Sequence, residues 1–389
     1  MQDLNVGRLR NVVLLSHGGA GKTSLAEAML FDAGAINRLV RVEEGTTFSD
    51  YDAEEVRRHF SVNTSVLPCE WNGHKINVLD TPGYMDFVGE LTAAVRVADG
   101  AVLLVEASAG VEVGTELGWV RLDEQQLPRL VVINKMDREN ADWQRTLSQL
   151  GERFEATFVP VQLPVGAQSS FRGYVDLVTM KAYLGDEAKS ADIPTELQDQ
   201  AAEMRQSMME TAAEADDELV MKYLDGQELS EDEVRRGLAL STRSGKIVPV
   251  LCAAGLQNIG VRALMDAIVA YLPDPAARPI VANNPATQAE ETLQADLNQP
   301  LAAMVFKTLA DPFVGKLTYF RVYSGAITSD SRVYNSNRTT EERVGQLYSI
   351  RGKEQTPVEQ VQAGDIGAVA KLSVTTTGDT LCDRGHPLV

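Results

Sequence analysis

The chain has 389 residues, 44% of them hydrophobic and 23% charged, which is long enough for two or three domains with complete cores. Its 36 basic side chains stand against 55 acidic ones, and the resulting charge of −19 argues against loose, charge-driven binding to nucleic acid. No apolar run reaches the ~20 residues of a membrane span, so no membrane association is expected. Cys69, Cys252 and Cys382 are far apart and lack metal-ligand spacing; they read as reduced packing thiols of a cytoplasmic protein.

The segment NVVLLSHGGAGKTSLAEAML (11–30) reads as a strand, a glycine-rich loop and a helix. Loop residues His17, Gly18, Gly19, Ala20, Gly21, Lys22, Thr23 and Ser24 form a phosphate cradle: glycines let backbone amides wrap an anion, and the helix N-terminus adds its dipole. Lys22 supplies a charge to the terminal phosphates and Thr23 a hydroxyl to Mg²⁺. The usual pattern begins with glycine, and here that position is Ser16.

Further near-continuously apolar segments follow: INVLD (76–80), GAVLLVE (100–106), RLVVIN (129–134) and KIVPVLC (246–252). Alternating with helices, they predict an α/β doubly wound sheet, and the phosphate loop, DTPG and NKMD in this order are those of a P-loop GTPase. The strand ending in Asp80 aims a carboxylate at the Mg²⁺ shell, and the Gly83 amide of the DTPG turn senses the γ-phosphate. NKMD (134–137) decides for GTP over ATP. Asp137 accepts from the ring N–H and amino group of guanine, Asn134 ties the loop to the phosphate loop, and the Lys135 stem covers the base.

Residues 155–245 look inserted, beginning with strand-like FVPVQL and GYVDLV and turning helical, with Leu197, Ala201, Met204 and Met208 as a core-facing stripe. Residues 186–236 hold 16 acids and 5 bases, a net −11. Such a run reads first as a solvated helical face and second as a dock for a basic partner. Residues 281–300 read as a polar, proline-punctuated linker. Short strand-like segments from 301 to 389 then predict an all-β barrel.

These motifs together resemble the translational GTPases, and closely elongation factor G or a paralogue of it. The resemblance includes EEVRRHFSV (54–62) in the switch I position, DTPGYMDF, NKMDRENADW, the insertion, PVLCAAGLQNIGVRALMDAIVAYLPDP, FKTLADPFVGKLTYFRVYSGAI and TTTGDTLCD. It implies a GTP-binding domain over 1–280 with an inserted subdomain and then a β-barrel that contacts the small ribosomal subunit. It also implies a monomer that hydrolyses GTP to GDP on the ribosome, touching rRNA and a stalk protein that faces the insertion. The family extends beyond residue 389, so the chain is expected to be an amino-terminal portion that binds nucleotide without driving translocation.

Carried over residue by residue, the resemblance gives Thr23, Ser61 and Asp80 to Mg²⁺. It gives Asn134, Lys135, Asp137, Ala254, Gly255 and Leu256 to the base, and Lys22 and Tyr84 to catalysis. The departures fall close together. Gly19 replaces an aspartate associated with catalysis, and Gly18 replaces a bulky apolar neighbour. Arg58-His59-Phe60-Ser61 stands for Arg-Gly-Ile-Thr, and Ala254-Gly255 for Ser-Ala. Tyr84 occupies the place of the histidine that orients the attacking water. With a reference pKa of ~10 against ~6.5, a phenol does not readily become a cation near neutral pH. Two alternatives therefore stand beside a GTPase: a GTP-gated ribosome-binding factor with little hydrolysis, and a ribosome-protection protein.

Overall fold

In the computed structural model, residues 5–186, 188–311 and 314–389 are described. The first half is built on a seven-stranded sheet. Its strands in chain order are β1 (Leu9–Leu15), β2 (Ser65–Trp71), β3 (His74–Asp80), β4 (Gly100–Glu106), β5 (Arg129–Asn134) and β6 (Thr157–Pro160). The seventh comes after the insertion, whose four strands are β7 (Gln162–Val165), β8 (Gly173–Asp176), β9 (Lys181–Leu184) and β10 (Lys189–Ala191); it is β11 (Ile247–Cys252). The order is β2-β3-β1-β4-β5-β11-β6, parallel apart from the β2–β3 hairpin.

β1 shows why the sheet is buried on both faces. Val12 and Leu14 point into a core with Leu25, Met29 and Val78, while Val13 and Leu15 join Leu79, Leu103 and Trp119 on the other side. A strand that alternates between two cores must be apolar where it faces them, as VVLL (12–15) is. Helices α1 (Lys22–Asp32), α2 (Ala53–Arg58), α3 (Val88–Arg96), α4 (Val113–Glu124) and α5 (Trp143–Arg153) belong to this half, and α9 (Val261–Tyr271) packs on α1.

The insertion is a β10-β9-β8-β7 meander followed by α6 (Gln198–Ala213), α7 (Asp217–Leu224) and α8 (Glu231–Arg243). Ser230 starts α8 with a reciprocal cap, its hydroxyl taking the Glu233 amide while the Glu233 carboxylate takes the Ser230 amide. Ala201 and Met208 are buried as the stripe predicts, with Leu197 and Met204 packed at its margin. The expected start at residue 155 is corrected. FVPVQL divides at Val161: Thr157–Pro160 pairs with β11 in the main sheet, and only from Gln162 does the chain enter the inserted one. A cavity of about 540 Å³ lies between this meander, Trp71 and α9.

The segment 281–300 is not a simple linker. It carries the antiparallel hairpin β12 (Ile280–Asn284) and β13 (Ala289–Leu293). Val389 exchanges two backbone hydrogen bonds with Asn283, both 2.8 Å, and Ala282 and Leu293 pack with Tyr323, Cys382 and Leu388. Beyond it lies an antiparallel β domain, with an eight-stranded sheet and a separate two-stranded pair. Its longest hairpin is β14 (Ala302–Asp311) with β15 (Gly315–Ser324), and its core includes Val305, Phe320, Val322, Leu347 and Val369.

The two halves meet through buried polar groups. Arg321 donates to Asp99 (2.6 Å) and to the Val97 carbonyl (2.8 Å). Asn11 donates to the other Asp99 oxygen and to the Gly364 carbonyl, and Lys75 and Asn77 donate to Asp365. All three cysteines are free and buried, and burial pushes the Cys69 thiol up to about 12. Among the described residues, no helix is long and apolar enough to cross a membrane.

Candidate nucleotide site

β1, β3, β5 and β11 all end on one side of the sheet, and each delivers a loop there. This is the crevice at the carboxyl ends of a doubly wound sheet, beside the strand where the order reverses. After β1 the phosphate loop turns through Gly19 (φ +86°) and Gly21 (φ +95°), left-handed conformations that favour glycine, and Lys22 opens α1. The Lys22 ammonium is buried and donates to Ser16 Oγ at 2.8 Å, so serine at the departed first position holds the lysine. Burial lowers the Lys22 pKa to about 8, against the pull of Asp80 and Asp50.

Asn134 at the end of β5 accounts for much of the local order. It donates to the Ala20 carbonyl (2.9 Å) and accepts from the Gly255 amide (3.2 Å), joining three loops with one amide. A methyl at Gly21 would sit 2.7 Å from its nitrogen, so the glycine is needed for this close approach as well as for its φ. Lys135 is left-handed (φ +61°), and its ammonium pairs with Glu106 at 2.7 Å. Gly21, Ser24, Asn134, Lys135, Asp137, Gly255 and Leu256 line one small pocket, as expected of a base site. Asp137 there accepts from Gln257 Nε2 at 3.2 Å, and Ala254 is fixed behind the pocket by its backbone pairing with Ile259.

Around Asp80 the structure adds residues that the sequence reading did not single out. Asp80 accepts from Ser49 Oγ (2.7 Å), and Thr23 and Ser61 place their hydroxyls 3.2 Å apart. Both oxygens of Asp50, and Asp80 Oδ1, are buried and meet no donor in ordinary hydrogen-bond geometry, although Ser61 and Thr23 lie near enough to favour the charged forms. Burial, with Asp80 adding to it, pushes Asp50 up to about 7, and burial raises Asp80 against the pull of Lys22. Such orphaned carboxylate oxygens beside two hydroxyls fit a hard divalent cation. Among the described residues no group of three or more His, Cys, Asp or Glu side chains surrounds a metal. A cation here therefore takes further oxygens from hydroxyls, nucleotide and water, as Mg²⁺ does.

Two buried glutamates order the segment that carries these groups. Glu27 on α1 accepts from the Phe48 and Ser49 amides (2.6 and 3.0 Å), and Glu55 accepts from those of Val62 and Asn63 (both 2.9 Å). Lys307 of the β domain donates to the Thr64 carbonyl (2.8 Å) and reaches Glu90 at 3.3 Å, while Glu90 accepts from the Thr64 amide. The sequence shows FSDYDAEE as an acidic helix start, and Asp52 does cap α2. The inward turn of Asp50 and Glu55 has no local signature.

His59 ends α2 with φ +58°, ψ +37°, the region that a glycine there would favour. The backbone path is thus kept, at a steric cost of about 1–2 kcal/mol. His59→Gly is expected to raise unfolding free energy by about 0.5–1 kcal/mol, after the entropy that glycine adds to the unfolded chain. Chemical denaturation checks this, and an unchanged or lower value would refute the strain.

Not every expected site residue turns inward. His17 points its ring to the α4 side, accepting from the Gly114 amide (3.3 Å) and approaching Glu112 (3.6 Å), so only its backbone faces the loop. Gly19 has open space where a side chain would stand. Gly83 lies against the phosphate loop: a methyl there would sit 2.6 Å from Lys22 Nζ and 2.8 Å from the Gly18 nitrogen. Tyr84, 43% exposed, follows it with its ring beside Phe60.

Two family models match. The elongation factor Tu GTP-binding domain covers residues 7–274, and elongation factor G domain 2 covers 300–384. A crystal structure of a Thermus thermophilus protein is 34% identical and superposes with a TM-score of 0.86 over 97% of this chain, which spans 54% of that protein's length. With the first model covering most of the sequence and the second following it in order, the chain belongs to the translational GTPases of the elongation factor G type.

Proposed function

We propose that the chain is the nucleotide-binding portion of a translation factor that hydrolyses GTP to GDP and phosphate when it engages the ribosome. The observation that carries this reading is the Asn134 amide, which joins the phosphate loop to the Ala254–Leu256 loop with Asp137 in the same pocket. In this reading the amides of His17 to Ser24 and the Lys22 ammonium hold the phosphates. Asp137 reads guanine, the Gly255 region meets its carbonyl, and Lys135 covers the ring. Thr23, Ser61 and Asp80 would hold Mg²⁺, with Asp50 near enough to bind through water, and the ion supplies charge neutralisation at the phosphates. The Gly83 amide reports the terminal phosphate, and the Tyr84 phenol positions the water. Phosphoryl transfer depends chiefly on positioning and electrostatics, so a phenol suffices without strong base catalysis.

Binding to rRNA through the β domain and to a stalk protein through the acidic insertion, a monomeric state and a cytoplasmic location complete the proposal by family resemblance. A GTP-gated binder with little hydrolysis is the second reading. It is favoured by the open space at Gly19, where the family's aspartate side chain is missing. Single-turnover GTP hydrolysis with and without ribosomes, beside Tyr84→His, separates the two. Ribosome-stimulated turnover of the unmodified protein is expected, and its absence at saturating ribosomes leaves only the binding role. If Tyr84→His then gains turnover, the phenol is the limiting departure.

A further inference from the structure

Two departures that are 66 positions apart in sequence meet in space. A methyl at Gly18 would sit 2.9 Å from Tyr84 Cζ, 3.0 Å from Cε1 and 3.2 Å from Cε2, so the hydroxyl end of the phenol ring lies on the bare glycine. Real carbon neighbours keep about 3.5–4.0 Å, so a side chain at 18 would push the ring off this position. The backbone does not explain the glycine. Gly18 lacks the positive φ of Gly19 and Gly21, and any residue can adopt its conformation. The ring is also held from its other side. Phe60 lies 4.8 Å away between centroids, tilted by 59°, and Phe60 is itself flanked by Phe87 at 6.5 Å and by the Arg58 guanidinium at 5.8 Å. Gly83 brings the backbone before Tyr84 against the same loop.

We propose that Gly18 is the specificity-determining position for residue 84: its bare Cα is the seat that places the Tyr84 phenol on the phosphate loop, so that a side chain at 18 would displace a tyrosine at 84 from it. Two changes that look separate, the loss of an apolar side chain and the loss of a histidine, are then one exchange, in which bulk leaves the phosphate loop and returns on the ring. The catalytic consequence rests on the proposed role of Tyr84; the seat itself does not.

Two measurements test it. In NMR spectra of the protein, the Gly18 α-protons are expected to carry a ring-current shift that disappears in Tyr84→Leu. Gly18 resonances at the same positions in both proteins would overturn the seat. The second measurement is a cycle of Gly18→Ile, Tyr84→His and the double variant, read by ribosome-stimulated single-turnover hydrolysis and by fluorescent-GDP affinity. Gly18→Ile alone is expected to slow hydrolysis at least tenfold, and by more than it weakens GDP binding. In the double variant, the isoleucine should cost at least tenfold less than it does beside tyrosine, a coupling of ~1.4 kcal/mol. Losses that simply multiply, or a fall in GDP affinity that matches the fall in rate, would overturn the proposal. An unmodified protein that shows the ring-current shift but no turnover would defeat the hydrolytic reading and leave the seat standing.

Discussion

Asp137→Asn is expected to lower GTP affinity by roughly 10²–10⁴-fold while leaving the fold intact. The carboxylate offers two acceptor oxygens to two guanine donors, and an asparagine replaces one of them with an NH₂ group. One charge-assisted hydrogen bond is then weakened to a neutral one, and the other becomes a donor facing a donor. Hydrogen bonds to charged groups contribute about 1.5–3 kcal/mol each, and a group left unpaired in a site costs as much again. The side chain is half-exposed and, among the described residues, accepts a hydrogen bond from Gln257, so an isosteric amide disturbs little else. The same substitution should improve binding of xanthosine triphosphate, whose ring carries a carbonyl where guanine has its amino group. Competition against a fluorescent guanine nucleotide measures both changes. Unaltered GTP affinity would remove Asp137 from base reading.

Arg321→Ala is expected to cost about 3–5 kcal/mol of unfolding free energy, among the largest effects of any change outside the nucleotide site. The guanidinium is buried where the two halves meet, and Asp99 beneath it is equally buried, with Asn11 as its remaining donor. Removing the cation strands a carboxylate in a low-dielectric interface, which is far worse than losing an exposed ion pair. Removing both charges, in Arg321→Met with Asp99→Leu, should recover much of the loss, since Asn11 still donates to the Gly364 carbonyl. Denaturant unfolding of the three proteins tests this. A single variant as stable as the unmodified chain would mean that water already reaches the pair.

The sheet and the loops at its edge were legible because their signals are local. A near-continuous apolar strand followed at once by GGAGKT, DTPG or NKMD fixes both a structural element and the chemistry at its end. Arg321 and Asp99 lie 222 residues apart, and no local pattern connects them. Asp50 was invisible for a related reason: an acid in an acidic stretch reads as solvated until tertiary packing turns it inward, and nothing local pairs the lone Glu27 of α1 with the amides of Phe48 and Ser49. The β12–β13 hairpin was missed because IVANNPATQAEETL is polar and holds a proline. Its pairing partner Val389 and its apolar cover, Leu388, come from the far end of the chain. The insertion boundary moved because two strands of different sheets are joined at a single residue, Val161.

Lys307 gives one ammonium contact with two segments beside the site at once, the exit of the 47–64 segment at Thr64 and the helix after the DTPG turn at Glu90. Any rearrangement that separates those two groups must strip a buried cation of its partners or carry the β domain along. If a bound nucleotide shifts either group, the β domain is coupled to it, and thermodynamic reciprocity makes that coupling work in both directions. Whatever factor the nucleotide exerts on the affinity of a partner gripping the β domain, that partner exerts equally on the affinity for the nucleotide. A docking event on the barrel can thus set how long a nucleotide is kept, without a single contact to it.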